Sequence, residues 1–580
     1  MKTHLWKLIA VMTAVLLILS ACSSPSQAPA GNNSADNQPA QNQPADNGEA
    51  PPAAEEDDKS PITFTIYGED VIANRVEEDF KGEVSQVITA DTGVTIKYQF
   101  GVGDVSEQIT LMIADKNYPD FIFSRSHVSN FLDADVYIDM SPLIDQYGPN
   151  IKALYGDAYE RMRDSEGHIH YLGQDFINQI NEDPEDSFEI QHAVLKDQGY
   201  PEIRTLEQFK AAIKAYKEKY PEIDGQPTIG MTLTCGEGWR YFITLINPGL
   251  RALGFPDDGN FYINPETYEV SYAFSIPEIK EYYRWMNGMY NDGLIDPDAF
   301  TQTYDEYLAK IASGRVLALS DGHWEYVAGE DILSQEGKYD RTYARLPVTL
   351  STDIKHPAYR PSAYTPTNGV GITQNCADPV RAVKFLDYLC KEETQILSAW
   401  GIEGVHWEIK DGRRQWTEAE TAAQKLPGND VKTAIGMMTY PWPTIGGGED
   451  SNGYKFNPLD DGTVQWADYN DEAKNTLTAY GVNSWKELFP TGDQFVASEW
   501  GQAWNLWDVQ PADSEFGMLL AECNDLTAQY LPMVCSASPE EFDSLWDEYL
   551  SRLDSLGVSD LGVVATKLLA DNFYVHVAAE

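Results

Sequence analysis

Cysteine is scarce. Six in 580 residues are too few for a scaffold built on disulfides, and no CxxC pair marks a zinc ribbon or a thioredoxin-like motif. Basic residues are also in short supply: 41 Lys and Arg face 91 Asp and Glu, a formal net charge of −50. A field of that sign repels nucleic acid and anionic headgroups. It argues against a nucleic-acid reader and leaves solubility as the plain use of the charge. Beyond the N-terminus no apolar run approaches the ~20 residues of a membrane-spanning helix. The motifs GxxxxGK[ST], GxSxG and HExxH are absent, so the P-loop, nucleophile-elbow and zincin readings have no support. No repeat of fixed period is present. The acidic loops at 256–260 and 460–462 lack the alternating oxygen ligands of an EF-hand and read as turns. His168 and His170 share a face if their segment is a strand, but two imidazoles without a third ligand read as structural.

What is present is an ordinary globular composition, 42% hydrophobic and 23% charged, which excludes disorder throughout. The length allows about four domain-sized units or two large lobes. Lys2 and Lys7 precede an apolar stretch at 8–19, the layout of a signal peptide. Leu19-Ser20-Ala21-Cys22 then resembles a bacterial lipobox, in which cleavage precedes a cysteine that takes a lipid. Residues 1–21 are read as a lipoprotein signal peptide and Cys22 as the lipid attachment site. Two acyl chains on one cysteine give stable anchoring. Residues 22–60 are rich in Ala, Pro, Asn, Gln and Ser and hold no aromatic residue. They form a disordered tether, because so little apolar surface cannot offset the ordering entropy.

The folded body starts at Pro61. The pattern predicts strands at 62–67, 94–98 and 119–123, alternating with helices at 75–91 and 105–114. That alternation requires parallel pairing and an α/β layer. Further helices are expected at 206–220, 277–290, 303–312, 379–399 and 539–556, and strands at 316–319 and 369–372. Five cysteines follow Cys22, an odd number, so at least one stays free or pairs between chains; Cys523 and Cys535 are the candidates for a bridge in an extracytoplasmic setting.

Several segments together resemble the family 1 extracellular solute-binding proteins of ABC importers. They are Tyr67-Gly68-Glu69-Asp70, Thr92-Gly93-Val94, Tyr118-Pro119-Asp120-Phe121-Ile122-Phe123 and Asp139-Met140-Ser141-Pro142-Leu143-Ile144. To these are added Ser313-Gly314-Arg315-Val316 through Gly322-His323-Trp324, Cys376-Ala377-Asp378-Pro379, and Gly401-Ile402-Glu403-Gly404-Val405-His406-Trp407. Their order over 61–410, behind a lipobox and tether, carries the likeness. Long members of that family carry a calcium loop. Here Tyr220-Pro221-Glu222-Ile223-Asp224-Gly225-Gln226-Pro227 lacks its later Asp-Glu pair, so no metal and no other cofactor is expected.

The resemblance implies an α/β, two-lobed periplasmic-binding-protein-like fold, with a hinge and a ligand cleft between the lobes. An N-terminal lobe would hold 61–168 plus 370–405, and a C-terminal lobe 175–363 plus 440–580. The chain would cross near 169–174 and 364–369. Ligand contacts would come from strand-to-helix loops: Tyr67, Glu69, Asp70, Ser124 and Arg125 in one lobe, and Trp239, Arg240, Asp321 and Trp324 in the other. The Pro-braced Tyr440 and Trp442 would join them. Indoles suit the apolar face of a sugar ring, and carboxylates and guanidinium suit its hydroxyl rim. Each of these residues has a plainer use, aromatics in packing and arginines in surface ion pairs. The implied protein is no enzyme but a monomeric, lipid-anchored receptor outside the bacterial cell membrane. It would deliver an oligosaccharide to ABC permease subunits. The alternatives are a surface glycoside hydrolase, which needs only two carboxylates about 5–9 Å apart, or a binder of peptides or a sensor on the same fold.

Overall fold

A computed structural model describes residues 58–573, apart from 70–79, 102–104, 126, 165, 174–181, 185, 365–367, 425, 427, 502, 504–505 and 508–509. The signal peptide, Cys22, nearly all of the tether, Asp70 and the expected crossings at 174 and 365–367 lie outside the described residues.

The chain enters at β1 (Ile62–Gly68), followed by α1 (Glu83–Thr92), β2 (Val94–Phe100), α2 (Val105–Asp115), β3 (Phe121–Ser124) and the short β4 (Leu172–Gly173). Strands β2 and β3 flank β1, and both run parallel to it. Alternation along β1 and β3 sends Phe64, Ile66, Phe121 and Phe123 to one face and Tyr67 and Ile122 to the other. Both faces are therefore covered, as parallel sheets require. Between α1 and β2 the chain turns at Gly93, φ 72°. A Cβ there would lie 2.3 Å from the Lys59 carbonyl oxygen, so only glycine fits.

A second sheet follows. Its elements are β5 (Phe188–Gln191), α3 (Leu206–Lys219), β6 (Ile229–Met231), α4 (Ile279–Asn291), α5 (Tyr304–Ala312), β7 (Val316–Leu319), α6 (His323–Gln335) and β8 (Tyr343–Leu346). The strand order is β8-β5-β7-β6, with β7 parallel to β6 and antiparallel to β5. Helices α3 and α5 both start on capping boxes, Thr205 with Gln208 and Thr303 with Glu306, which satisfy two otherwise orphaned N–H groups each.

Strand β9 (Gly369–Ile372) then returns to the first sheet, antiparallel between β3 and β4. The single helix expected at 379–399 is two, α7 (Pro379–Leu389) and α8 (Glu392–Trp400). Lys391 is extended (φ −64°, ψ 144°) and caps the second. The break redirects α8, so that Trp400 packs with Trp407 in a separate cluster. In the Gly401–Trp407 motif, the Ile402 amide donates to His406 Nδ1 at 2.9 Å, leaving Nε2 to meet Glu83 at 2.8 Å.

The C-terminal helices α9 (Glu515–Ser536), α10 (Phe542–Leu556) and α11 (Val558–Phe573) close the second core. Asn287 of α4 donates to the carbonyls of Val534, Cys535 and Ala537 at 2.8–3.2 Å, satisfying the end of α9. Cys523 and Cys535 do not pair: both are free and buried. They sit on the same helix twelve positions apart, about 18 Å at 1.5 Å per residue, against the under ~7 Å that a disulfide spans.

The expected second-lobe stretch from 440 onward does not pack as one piece. Trp442, with Met437 and Met438, fills the first core, whereas Trp466, Tyr469, Ala473 and Leu477 pack into the second. The indole of Trp442 meets Phe121 and Phe385 edge-on at 5.6 and 5.5 Å, a large apolar area that the first sheet needs on that face.

Candidate ligand-binding site

Apart from Tyr440 and Trp442, the described expected site residues fall into two groups, each at or past the carboxyl ends of adjacent parallel strands. Open α/β sheets place ligands outside those ends.

In the first group, Glu69 follows β1, Ser124 ends β3 and Arg125 follows it. Glu69 Oε2 accepts from Ser124 Oγ at 2.7 Å and from the Arg125 amide at 2.8 Å. Its Oε1 meets His127 Nδ1 at 2.8 Å. Burial alone would raise the Glu69 carboxyl, but the hydrogen bonds from His127, the Arg125 amide and Ser124 outweigh it and hold the group below its ordinary value. The carboxylate is thus the knot that ties the β1 and β3 loops together. Ser124 and Tyr67 are buried, and Arg125 is half-buried. Half-buried Tyr440 packs edge-on against Phe123 at 5.1 Å and is joined to Pro441 by a cis peptide bond. Trp442 instead lies within the core and donates from Nε1 to Tyr98 Oη at 2.9 Å.

The second group is built on β6 and β7. From the end of β6 a loop leads through Gly236 to Trp239 and Arg240, and a single π-helical turn, Phe242–Ile246, follows. Such turns are frequent at functional sites. From the end of β7 the chain passes through Asp321 and Gly322 into α6, which presents Trp324. The two indoles stack, with centroids 5.8 Å apart and planes 29° apart. Trp239 is 48% exposed and Trp324 44%, whereas Trp400, Trp442, Trp485, Trp500 and Trp546 are below 2%. A Cβ at Gly322 would come within 2.6 Å of Trp324 Nε1, so glycine lets the indole fold back over the start of the helix.

Arg240 holds this pair in place. Its guanidinium lies 4.1 Å from the Tyr304 ring centroid and 5.1 Å from that of Trp239. Its Nε stands 3.2 Å from Glu325 Oε2, and the Glu325 side chain is only 2% exposed. Tyr304 closes the arrangement: its hydroxyl donates to the Glu325 carbonyl at 2.6 Å and its amide to Glu237 Oε2 at 2.9 Å. Asp321 is fully buried beneath, accepting from Tyr307 Oη at 2.5 Å and from the Gly322 amide at 2.7 Å. Burial, reinforced by nearby Glu325 and Glu189, pushes the Asp321 carboxyl well up. It acts as a buried brace under the loop rather than as an exposed hydrogen-bonding group.

Tyr304, Glu325 and His127 were not singled out in the sequence. Glu325 adjoins Trp324, and Tyr304 follows a capping Thr303, but only packing shows that both converge on Arg240. The 220–227 segment forms a tight hairpin, Glu222–Ile223 against Gln226–Pro227, with Asp224 Oδ2 3.5 Å from Lys338 Nζ. A cavity of about 640 Å³ lies apart from both groups, lined by Glu182, Arg413, Tyr454, Asp460, Trp466 and Asn483 among others.

The chain matches the bacterial extracellular solute-binding protein family over residues 83–402 and belongs to that family. It is thereby classed with binding proteins rather than with enzymes. The fructooligosaccharide ABC transporter substrate-binding protein FusA of Streptococcus pneumoniae serotype 4 (strain ATCC BAA-334 / TIGR4) is 24% identical over 316 residues. That is 52% of this chain and 54% of that one, so the chain spans about half the length of this curated relative. The solved structure of S. pneumoniae FusA in complex with kestose superposes with a TM-score of 0.58 at 18% identity, covering 88% of this chain and 99% of that one. An HMO-binding, ABC-transporter-associated solute-binding protein from Bifidobacterium longum infantis ATCC 15697 gives 0.60 at 17% identity, covering 89% and 99%. The fold is that of the two-lobed solute-binding proteins. Among the described residues no helix is long and apolar enough to cross a membrane.

Proposed function

We propose that this protein is a lipid-anchored extracytoplasmic receptor that captures an oligosaccharide and hands it to an ABC permease. The observation that carries the reading is the exposed, stacked Trp239–Trp324 pair held by Arg240 past the ends of β6 and β7. Two half-exposed indoles offer flat area to sugar rings at small conformational cost. The loops after β1 and β3, tied together by Glu69 and Ser124 and carrying Asp70 and Arg125, would supply the opposite wall, and Tyr440 its flank. The lobes would divide at about 61–168 plus 370–405 and 175–363 plus 440–580, except that Trp442, which packs with Met437 and Met438 in the first core, would go with the first lobe. Cys22 would carry the lipid. The fructooligosaccharide assignment of FusA and its complex with kestose support the substrate class.

The test is a tryptophan-fluorescence and calorimetric titration of the mature chain against a panel of neutral and acidic oligosaccharides, with each ligand recovered and checked intact. Trp324→Ala and Trp239→Ala should weaken binding by at least about tenfold, ~1.4 kcal/mol. Trp466→Ala, in the separate cavity, should leave it unchanged. The reverse pattern would move the site to that cavity, and cleaved ligand would make the protein a hydrolase.

A further inference from the structure

His168 and His170 have no third ligand marked in the sequence; the fold supplies one. One donor atom each from Asp164, His168 and His170 lie within 4.8 Å of one another. Asp164 Oδ2 is 3.1 Å from His170 Nε2 and 3.7 Å from His168 Nδ1. Glu166 Oε2 stands 3.8 Å from the same His168 nitrogen. The first distance is a hydrogen bond. The other two are too long for one, but all are near the ~3.3 Å that separates ligands on a tetrahedral ion with bonds of about 2.0–2.1 Å.

The loop that carries these donors is built rather than loose. The Asp164 amide donates to the His168 carbonyl at 2.9 Å and the Gly167 amide to the Asp164 carbonyl at 3.0 Å. Arg163 Nη1 braces the Gly167 carbonyl at 2.8 Å. Asp164 Oδ1 is taken by the amides of Glu166 and His168, both at 2.9 Å, which turns Oδ2 toward the two imidazoles. The second nitrogen of His168, Nε2, points to Asp139 Oδ2 at 3.9 Å, and Asp139 is itself held by the Ser141 amide at 2.9 Å. A carboxylate behind a ligating imidazole is the usual outer partner of a metal-bound histidine.

We propose that Asp164, His168 and His170 form a binding site for a divalent transition-metal ion, zinc(II) foremost, on the first lobe. Two imidazole nitrogens and one carboxylate favour zinc, copper or nickel over the all-oxygen partners of calcium and magnesium. Glu166 or water completes the coordination. The site lies just ahead of β4, and the His170 carbonyl packs closely over Gly371 of β9, where a Cβ would be 2.7 Å away. A bound ion would staple the 164–170 loop to the edge of the first sheet. The site is independent of the carbohydrate reading.

The test is calorimetric titration of the chelator-stripped mature chain, prepared without a histidine tag, with zinc chloride, alongside calcium and magnesium chlorides. Saturable binding of a single zinc, uncontested by calcium and weakened at least about tenfold in His168→Ala and in His170→Ala, is the expected result. No saturable binding by the unaltered protein would overturn the proposal. So would affinity kept within about twofold when both histidines are replaced. X-ray absorption on the zinc-loaded unaltered protein guards against variants that fail to fold: two imidazole nitrogens in the shell support the site, and an oxygen-only shell overturns it.

Discussion

Tryptophan serves two opposite purposes in this chain, and single substitutions separate them. Trp442 is fully buried, wedged between Phe121 and Phe385, and its replacement by alanine should cost about 3–5 kcal/mol through lost burial and a residual cavity. A urea melt measures this directly. Trp324, half exposed, should cost under ~1 kcal/mol by the same assay while losing ligand. Asp258 makes a third residue-scale case. Its Oδ1 accepts from Trp500 Nε1 and its carbonyl oxygen from Trp507 Nε1, each at 2.9 Å. Burial pushes the carboxyl up to about 7 against the Trp500 hydrogen bond, which lowers it. A carboxyl whose folded value is raised binds an extra proton when folded, so stability falls as pH rises from about 4 to about 7. Asp258→Asn keeps an acceptor for Trp500 and carries no charge. It should flatten that fall, and thermal midpoints of the variant and the unaltered protein between pH 4.5 and 8 would show the difference. His192, held down to about 4 by burial, contributes the opposite slope in both proteins and cancels in the comparison.

At the scale of elements, the start of α6 decides whether Trp324 is presented at all. Gly322 is extended at φ −72°, a conformation any residue adopts, so its glycine is required by space alone. A methyl group there would meet the indole at 2.6 Å. Gly322→Ala should therefore swing Trp324 off Trp239 and weaken carbohydrate binding by about tenfold, with a change in stability of ~1 kcal/mol or less. Fluorescence titration paired with a denaturant melt separates the two effects, and equal losses in both would mean that the loop itself had collapsed. The same reasoning explains why 379–399 was readable as helical but not as two helices. Propensity is favourable throughout, and the break at Lys391 answers the need of Trp400 to reach Trp407.

For the whole molecule, the two sheets each carry half of the proposed site, so a ligand that touches both must favour an arrangement that brings them together. Small-angle scattering should show a smaller radius of gyration in saturating oligosaccharide. An unchanged radius would place the ligand on one lobe alone. Ligand at 100-fold excess over its dissociation constant should also stabilise the fold by ~2.7 kcal/mol. The net charge of −50 makes the contacts of acidic ligands depend on local cations such as Arg240, and that one is already engaged by Glu325, Tyr304 and Trp239.

The sequence by itself determined the α/β class, most elements of the two sheets and the family resemblance. Alternating β-branched strands, capping residues and glycine stops are local signals read over a few positions. It also placed Glu69, Arg125 and Trp239 past strand ends, and Trp324 in the segment after β7, because strand ends are marked locally. Only the tertiary structure decided which of these residues meet. Glu69 is consumed in tying two loops, Asp321 is buried as a brace, and Trp442 belongs to the first core. Arg240 is coupled to Glu325 and Tyr304 across 64 or more positions of chain, and the third partner of the two histidines is supplied by a turn that closes on itself. Those pairings depend on which faces are buried and on loop closure, and neither leaves a periodic trace in the sequence.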